Sequence, residues 1–149
     1  MNHEGSVYQK VLEFKSKYPM TIAWRLKKNS RVIEQHLNDD EYVTYAFAAQ
    51  KSVSSFHILG TAVIALTNKR IVIGRDRVVI GYFFDSITPD LFNDLKIKSG
   101  LLWGKIFIDT VKELVCLSNL DKGALAEIET KISSFMLEEK KNYLNGNHE

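Results

Sequence analysis

Seven short apolar segments between residues 41 and 118 constrain the fold of this 149-residue chain more than any other feature. They are rich in β-branched and aromatic residues, and segment 95–99 alternates apolar residues with lysines, which is typical of a half-buried strand. The gaps between segments are too short for the crossover helices that parallel strands need, so the pattern predicts antiparallel pairing. The predicted strands are residues 41–50, 61–66, 71–74, 78–84, 95–99, 105–109 and 113–117.

Two amphipathic helices are predicted ahead of the strands. Residues 7–18 carry apolar side chains at helical spacing, and Pro19 ends this helix because proline disfavours helical geometry in the residue before it. A second helix is predicted from about Thr21 to Leu37, where three consecutive polar residues follow. The helical faces consist of Val7, Val11, Phe14 and Tyr18 in the first, and Ile22, Leu26, Ile33 and Leu37 in the second.

One long helix is predicted after the strands. Ser118 and Asp121 have the spacing of a capping box, with Asn119 as a competing N-cap, and beyond Met136 the sequence becomes polar and is expected to fray. Its apolar stripe, expected to face the core, is Leu125, Ile128, Ile132 and Phe135. The predicted organisation is a helical hairpin or arm at 1–40, a central domain at 41–137 and a polar tail at 138–149.

The composition narrows the possible functions. Twenty basic and 18 acidic residues give a net charge of +2, which argues against a duplex-binding protein. Cys116 is the only cysteine, so an intrachain disulfide is excluded. The polar N-terminus lacks the apolar region of a secretory signal, and segment 58–66 is too short to span a membrane. We therefore expect a cytoplasmic protein that does not bind nucleic acid.

Several motifs together resemble the bacterial pleckstrin-homology-like (PH-like) domain family. Residues 64–73 read Ile-Ala-Leu-Thr-Asn-Lys-Arg-Ile-Val-Ile, similar to the family's hairpin with a Thr-Asn-Lys-Arg turn. Residues 99–108 resemble its Gly-Leu-Leu-aromatic-Gly turn into a strand. Residues 85–87 resemble its segment after the fourth strand, and residues 119–122 stand where the family enters its final helix. The resemblance covers roughly residues 41–135. It implies an α+β fold, a seven-stranded antiparallel sandwich or partly open barrel capped by a C-terminal helix, here preceded by the helical pair.

The first loop of the resemblance departs from phosphoinositide-binding PH domains. Those domains place several lysines and arginines there, whereas residues 51–57 contain one lysine and no arginine. Phosphate recognition requires convergent basic side chains or a backbone nest. The resemblance therefore does not imply an inositol-phosphate pocket in this chain.

The sequence gives little support to catalysis or metal binding. Ser54, Ser55 and His57 lie close together, and Asp85 is a conceivable third member of a triad, but a nucleophile elbow is missing. The four histidines show no paired ligand spacing, and Cys116 lies in an apolar strand. We predict a protein that is not an enzyme and has no cofactor or metal.

Four apolar residues are candidate contacts with a protein partner or another copy of the chain. Trp24 either lies on the polar face of the second helix, as contacts often do, or packs in the connection before it. Leu101, Leu102 and Trp103 form an apolar turn, which either plugs the open end of the sandwich under the last helix or contacts another subunit or a lipid.

Four basic residues on two hairpin turns are the candidates for contact with an anionic surface. Lys69 and Arg70 lie on one turn, and Arg75 and Arg77 lie on the next. Successive turns of a meander alternate between the ends of a sheet, so the two pairs need not converge. Charged turns also keep hairpins soluble, which is the simpler interpretation.

These observations favour a non-catalytic module for protein contact or self-association, which presents sheet edges and loops to its partner. The alternative is a peripheral membrane-surface sensor that binds anionic lipid weakly through its basic turns. A third hypothesis is a small ligand-binding protein or enzyme with a site between the sandwich and the N-terminal helices.

Overall fold

The computed structural model describes residues 2–54, 57–77 and 79–146 of the chain. Two helices lead into the strands, and a third follows them. The helices are α1 (Ser6–Lys17), α2 (Leu26–Glu34) and α3 (Leu125–Gly146). The strands are β1 (Val43–Ser54), β2 (His57–Thr67), β3 (Ile71–Asp76), β4 (Tyr82–Ile87), β5 (Phe92–Ser99), β6 (Gly104–Thr110) and β7 (Leu114–Leu120).

The strands form one antiparallel sheet in the order β4-β3-β2-β1-β7-β6-β5. Short 3₁₀ turns at Pro89–Leu91 and Lys122–Ala124 precede β5 and α3. Strands β4 and β5 are the two edges of the sheet and do not pair with each other, so the sheet curls without closing. The predicted α+β fold with seven antiparallel strands and a C-terminal helix is confirmed.

Alternation along β1 divides the apolar residues between two cores. Phe47 and Ala49 belong to the main core inside the curled sheet, which α3 also enters. Ala46 and Ala48 point the opposite way, into a second core beneath α1 and α2. Successive strand residues face opposite sides of a sheet, and here each side has a helical cover.

The N-terminal helices pack closely on the outer face of the sheet. A Cβ atom added to Gly74 of β3 would lie only 2.7 Å from Cγ1 of Ile33 in α2, so the glycine permits the contact. Helix α1 matches its prediction, but α2 runs from Leu26 to Glu34 rather than from about Thr21 to Leu37. Arg25 adopts a left-handed conformation with φ of 55°, and the residues before it cross the sheet in a non-helical path.

Helix α3 confirms the predicted apolar stripe, with one correction. Leu125, Ile128 and Ile132 are buried, but Met136 completes the buried face, while Phe135 is only half-buried. The predicted capping box is wrong because Ser118 belongs to β7. Asp121 instead accepts a hydrogen bond from the Gly123 amide and caps the 3₁₀ turn. The helix also continues to Gly146, through the segment expected to fray.

Several strand boundaries differ from the predictions, and two of the differences affect the candidate surfaces. Strand β1 continues through residues 51–54, which were expected to form a loop, because this segment pairs with both β2 and β7. Strand β4 begins at Tyr82 rather than at residue 78, which leaves Val79 and Ile80 in the preceding turn. The first difference lengthens the hairpin of β1 and β2, and the second shortens β4 and enlarges the turn between β3 and β4. Both lie at the same end of the sheet.

A buried ion pair anchors the turn between β2 and β3. The Glu41 carboxylate is fully buried and accepts hydrogen bonds from Nε and Nη2 of Arg70 at 2.9 and 3.0 Å. Thr67 Oγ1 donates a third at 2.7 Å, and Arg70 also donates to the His36 carbonyl. Burial alone would raise the pKa of Glu41, but the bonds from Arg70 and Thr67 outweigh it and hold the pKa below its usual range.

We predict that Glu41→Gln lowers the free energy of unfolding by about 3 kcal/mol at pH 7, because it removes one partner of a buried pair. Since the folded-state pKa of Glu41 is depressed, its contribution is present above the unfolded value of about 4.3 and is lost as the pH falls through the folded value. Urea denaturation at pH 7 and pH 3 measures both effects. The exposed Glu138→Gln is the control, and an equal deficit at both pH values would contradict the assignment.

A second prediction concerns the buried face of α3. Ile132→Ala should lower the free energy of unfolding by about 2–5 kcal/mol, because the residue is fully buried in the main core. Leu137→Ala, on the exposed side of the same helix, should change it by less than about 0.5 kcal/mol. Chemical denaturation compares the two, and similar values would show that α3 does not close the core.

Candidate binding surface

The chain between α1 and α2, residues 19–25, crosses the outer face of the sheet, and we call it the strap. It runs over β7, β1 and β2 in turn. The Ile22 amide donates to the Asn119 carbonyl at 2.9 Å, and the Gln50 amide group donates to the Ile22 carbonyl at 2.8 Å. The Trp24 amide then donates to Thr61 Oγ1 at 3.3 Å. Strand residues far away in sequence therefore replace the hydrogen bonds that a helix would have supplied.

Hydrogen bonds also hold the first residues of the strap. The Met20 amide donates to Asp121 Oδ2 at 3.2 Å, and the indole of Trp103 donates to the Met20 carbonyl at 3.0 Å. Thr21 is buried, and its hydroxyl oxygen accepts from the Asp121 amide at 2.9 Å. The Lys15 ammonium of α1 donates to the Thr21 carbonyl. These bonds fix the strap against the end of β7.

The strap cleft, of about 440 Å³, opens beside the C-terminal end of the strap. Three exposed apolar side chains form its rim: Trp24 is 55%, Val79 88% and Ile80 81% exposed. Its lining is completed by Arg25, Asn29, Gly60, Thr61, Arg75, Asp76 and Arg77.

The charges of the strap cleft are mostly those of arginine. Nη2 of Arg25 lies 2.7 Å from Oδ2 of Asp76, whose amide donates to the Asn29 side chain at 2.8 Å. Arg75 and Arg77 also line the cleft, so three arginines and one aspartate leave an excess of two positive charges. Gly60 has a φ of +128°, and a Cβ atom there would lie 3.0 Å from the Arg75 guanidinium. Glycine is thus favoured at position 60 for two reasons: it tolerates the positive φ, and it has no side chain to collide with Arg75.

The turn cleft, of about 330 Å³, lies at the other end of the strap. Leu101 and Leu102 are 91% and 62% exposed, so the expectation that they plug the sandwich under α3 is wrong. The turn is held by the Gly100 amide, which donates to the Trp103 carbonyl at 2.9 Å, and by the Lys122 ammonium, which donates to Leu101. The cleft is lined by Ser52, Leu101, Leu102, Trp103, Lys105, Ser118 and Asn119.

The structure divides the four predicted contact residues between the two clefts. Leu101, Leu102 and Trp103 line the turn cleft together, whereas Trp24 lines the strap cleft. The strap joins the two groups through the bond between Trp103 and Met20. Trp24 precedes α2, as one interpretation required, but its side chain is exposed rather than packed. Their role as contacts stays a prediction.

The four predicted basic residues do not converge. Lys69 pairs with Asp40 at 2.5 Å, and Arg70 is bound by Glu41, at the turn between β2 and β3. Arg75 and Arg77 lie at the opposite end of β3, where they line the strap cleft. Of the four, only this second pair lines the strap cleft.

A charged cluster that the sequence analysis missed lies on the inner face of the sheet. Lys51 is buried, and its Nζ lies 3.5 Å from the centroid of the Phe83 ring. Burial lowers the pKa of Lys51. The negative charges of Glu113 and Asp85 act in the opposite direction but do not cancel this effect. Desolvation of the Glu113 carboxyl group and its hydrogen bond with Asp85 raise the pKa of Glu113. The sequence contained a signal for this cluster, because Lys51 falls on the same alternating positions as the core residues of β1 and so points to the inner face.

The described residues offer few groups for chemistry. Among them, no group of three or more His, Cys, Asp or Glu side chains could hold a metal ion. The His36 ring instead stacks on Phe84 with centroids 4.4 Å apart. Burial raises the pKa of the Cys116 thiol, which favours the unreactive form. Ser54, Ser55 and His57, the candidates for a triad with Asp85, lie outside the side chains that the structure describes.

The order of the strands and the final helix agrees with a comparison of the sequence with known families. A model described as "Bacterial PH domain" matches residues 37–134. The chain belongs to the bacterial PH domain family. PH domains are generally non-catalytic modules that bind proteins or lipids, so membership indicates a binding role.

Comparisons with curated proteins and with solved structures add less than the family match. The chain matches no curated protein. It is similar in structure to the pleckstrin homology domain from Shewanella amazonensis SB2B, with 13% identity, 83% of this chain and 98% of that chain covered, and a TM-score of 0.49. In the described part of this PH domain, no helix is long and apolar enough to cross a membrane. Helices α1 and α2 and the strap precede the matched segment.

The bonds of the strap yield a third prediction. Thr21→Val should lower the free energy of unfolding by about 1–2 kcal/mol, because the isosteric valine leaves the Asp121 amide without its acceptor. Thr130→Val, on the exposed side of α3, should have little effect. Urea denaturation measures both variants, and hydrogen exchange at Asp121 should be faster only in Thr21→Val. Unchanged exchange there would contradict a fixed strap.

Proposed function

We propose that this PH domain is a non-catalytic binding module that contacts protein, either a partner or a second copy of itself, through the turn cleft and the adjoining strap. The observation that carries the proposal is the exposure of Leu101 and Leu102 on a turn that hydrogen bonds hold in place. Contiguous exposed apolar residues on a soluble domain commonly indicate an interaction surface.

The rigidity of this surface supports binding. Trp103 is fixed to the strap by its indole N–H, and Lys122 holds the carbonyl of Leu101. A surface that is already ordered loses little conformational entropy when a partner binds. Met20, also exposed, continues the apolar surface from Trp103 along the strap.

The chemistry of the turn cleft favours a protein as the occupant. Lys105 is the one charged residue among those that line it. The centres of protein interfaces are poor in charged residues and rich in tryptophan and methionine. The β5 edge of the sheet is less suited to pairing, because this strand carries the exposed Lys96 and Lys98.

A second candidate function is contact with an anionic membrane surface. It is favoured by the strap cleft, where Arg75 and Arg77 lie beside the exposed Val79 and Ile80. Basic groups near an anionic surface are attracted to it, and the attraction weakens with salt. Lys69 and Arg70, which the sequence also suggested for this role, are engaged by carboxylates at the far turn.

Self-association is the form of protein contact that can be tested with this chain alone, before any partner protein is identified. We predict that sedimentation equilibrium between about 10 and 500 µM detects reversible association, and that Leu101→Ser with Leu102→Ser weakens it by at least about tenfold. The loss follows from removing two exposed apolar side chains from the interface. Monomer alone across this range would exclude self-association.

The matched control is Leu137→Ser with Leu144→Ser, which removes two exposed leucines from the far end of α3. This variant should associate like the unmodified chain. If both double variants weaken association equally, the contact does not depend on the turn cleft.

A further inference from the structure

We propose that the rim of the strap cleft docks on an anionic lipid bilayer, with Val79 and Ile80 entering the acyl region and Trp24 at the level of the headgroups. This inference rests on the second candidate function and specifies which residues touch the lipid. It assigns the role to apolar residues that the basic-turn hypothesis did not include.

The turn between β3 and β4 presents its aliphatic residues outward. Val79 and Ile80 are among the most exposed large apolar residues of the described chain, at 88% and 81%. The Arg77 amide donates to the Gly81 carbonyl at 3.0 Å and closes the turn at its base. Because these side chains project from the rim of the strap cleft and are mostly exposed, they are free to enter a fluid apolar phase.

Trp24 is placed beside this turn by the strap. Its amide is held by Thr61, and the Asn29 side chain donates to its carbonyl at 3.5 Å, while the indole stays half-exposed on the rim of the cleft. Tryptophan prefers the membrane–water interface, because its ring is apolar and its N–H needs a polar partner. The strap thus fixes an interfacial side chain next to an apolar tip.

The charge beside the tip has the sign that an anionic bilayer requires. The lining of the cleft includes three arginines and the Asp76 carboxylate, which is paired with Arg25, so its formal charge is +2. Arg77 is exposed and forms one side of the turn that carries Val79. An aliphatic tip flanked by arginines combines the apolar and electrostatic contributions that peripheral membrane binding needs.

Tryptophan fluorescence tests the proposed depth. The chain has two tryptophans, so Trp103→Phe leaves Trp24 as the single reporter, and Trp24→Phe leaves Trp103. The probe is phosphatidylcholine vesicles with about 30% phosphatidylglycerol, compared with phosphatidylcholine alone. We expect Trp24 emission to shift to the blue and to be quenched by brominated lipid in the anionic vesicles, and Trp103 emission to change much less. Equal quenching of both tryptophans would overturn the proposed orientation.

Binding of variants to the same vesicles tests the contacts. Val79→Ser with Ile80→Ser should lower the vesicle partition coefficient by at least about tenfold, because each side chain loses its transfer into the acyl region. Leu137→Ser with Leu144→Ser is the apolar control. Arg77→Glu should weaken binding more than Lys98→Glu, which changes the net charge equally at an edge strand. Circular dichroism confirms the fold of each variant.

The outcomes separate this inference from the candidate function on which it rests. If the unmodified chain does not bind anionic vesicles at low salt, the membrane candidate and the inference both fail, and the cleft is left to a protein partner. If it binds, but the Val79/Ile80 variant binds as well and Trp24 is not quenched, the membrane candidate survives and the inference is overturned.

Discussion

The arrangement of the strap across the sheet determines where both candidate surfaces lie. A chain that crosses strands cannot join their ladder, so its amides and carbonyls need other partners. Here Asn119, Gln50 and Thr61 supply them from three neighbouring strands. Asn119 adopts φ of +60°, a conformation that asparagine tolerates better than most residues. The position of Trp24 follows from these bonds rather than from helix packing.

The strap also separates two surfaces of different chemistry. The turn cleft combines three apolar residues with uncharged polar residues and one lysine, and the strap cleft combines an apolar rim with three arginines. Because polar bonds hold the strap at both ends, the two surfaces keep a fixed relation to each other. A single domain of this size can therefore present a surface suited to protein and another suited to anionic lipid without a hinge between them.

Local patterns in the sequence predicted those parts of the fold that depend on local periodicity. The alternation in β5 and the stripe of α3 reflect burial on one face, and the turn at 67–70 reflects local turn chemistry. All three are present in the structure, although Met136 replaces Phe135 in the buried stripe. The strap was not predicted, because Ile22 continues the helical spacing of α2 while its amide bonds to Asn119, distant in sequence. The candidate site shows the same division: Trp24 and Leu101 stood out in the sequence, but Val79 and Ile80 had been assigned to a strand. Their exposure depends on where β4 begins, which pairing with β3 decides.

The N-terminal helices alter what family membership implies for this chain. They lie ahead of the segment that matches the family, yet they cover a sheet face built of small residues, such as Ala46 and Ala48, and need Gly74 for close contact. Small side chains on that face leave room for a helical layer, which a larger residue at Gly74 would displace. Trp24 and Met20, which border the candidate surfaces, belong to this added layer. The shared fold thus supplies the scaffold, and the residues that would decide what this chain binds lie partly outside it.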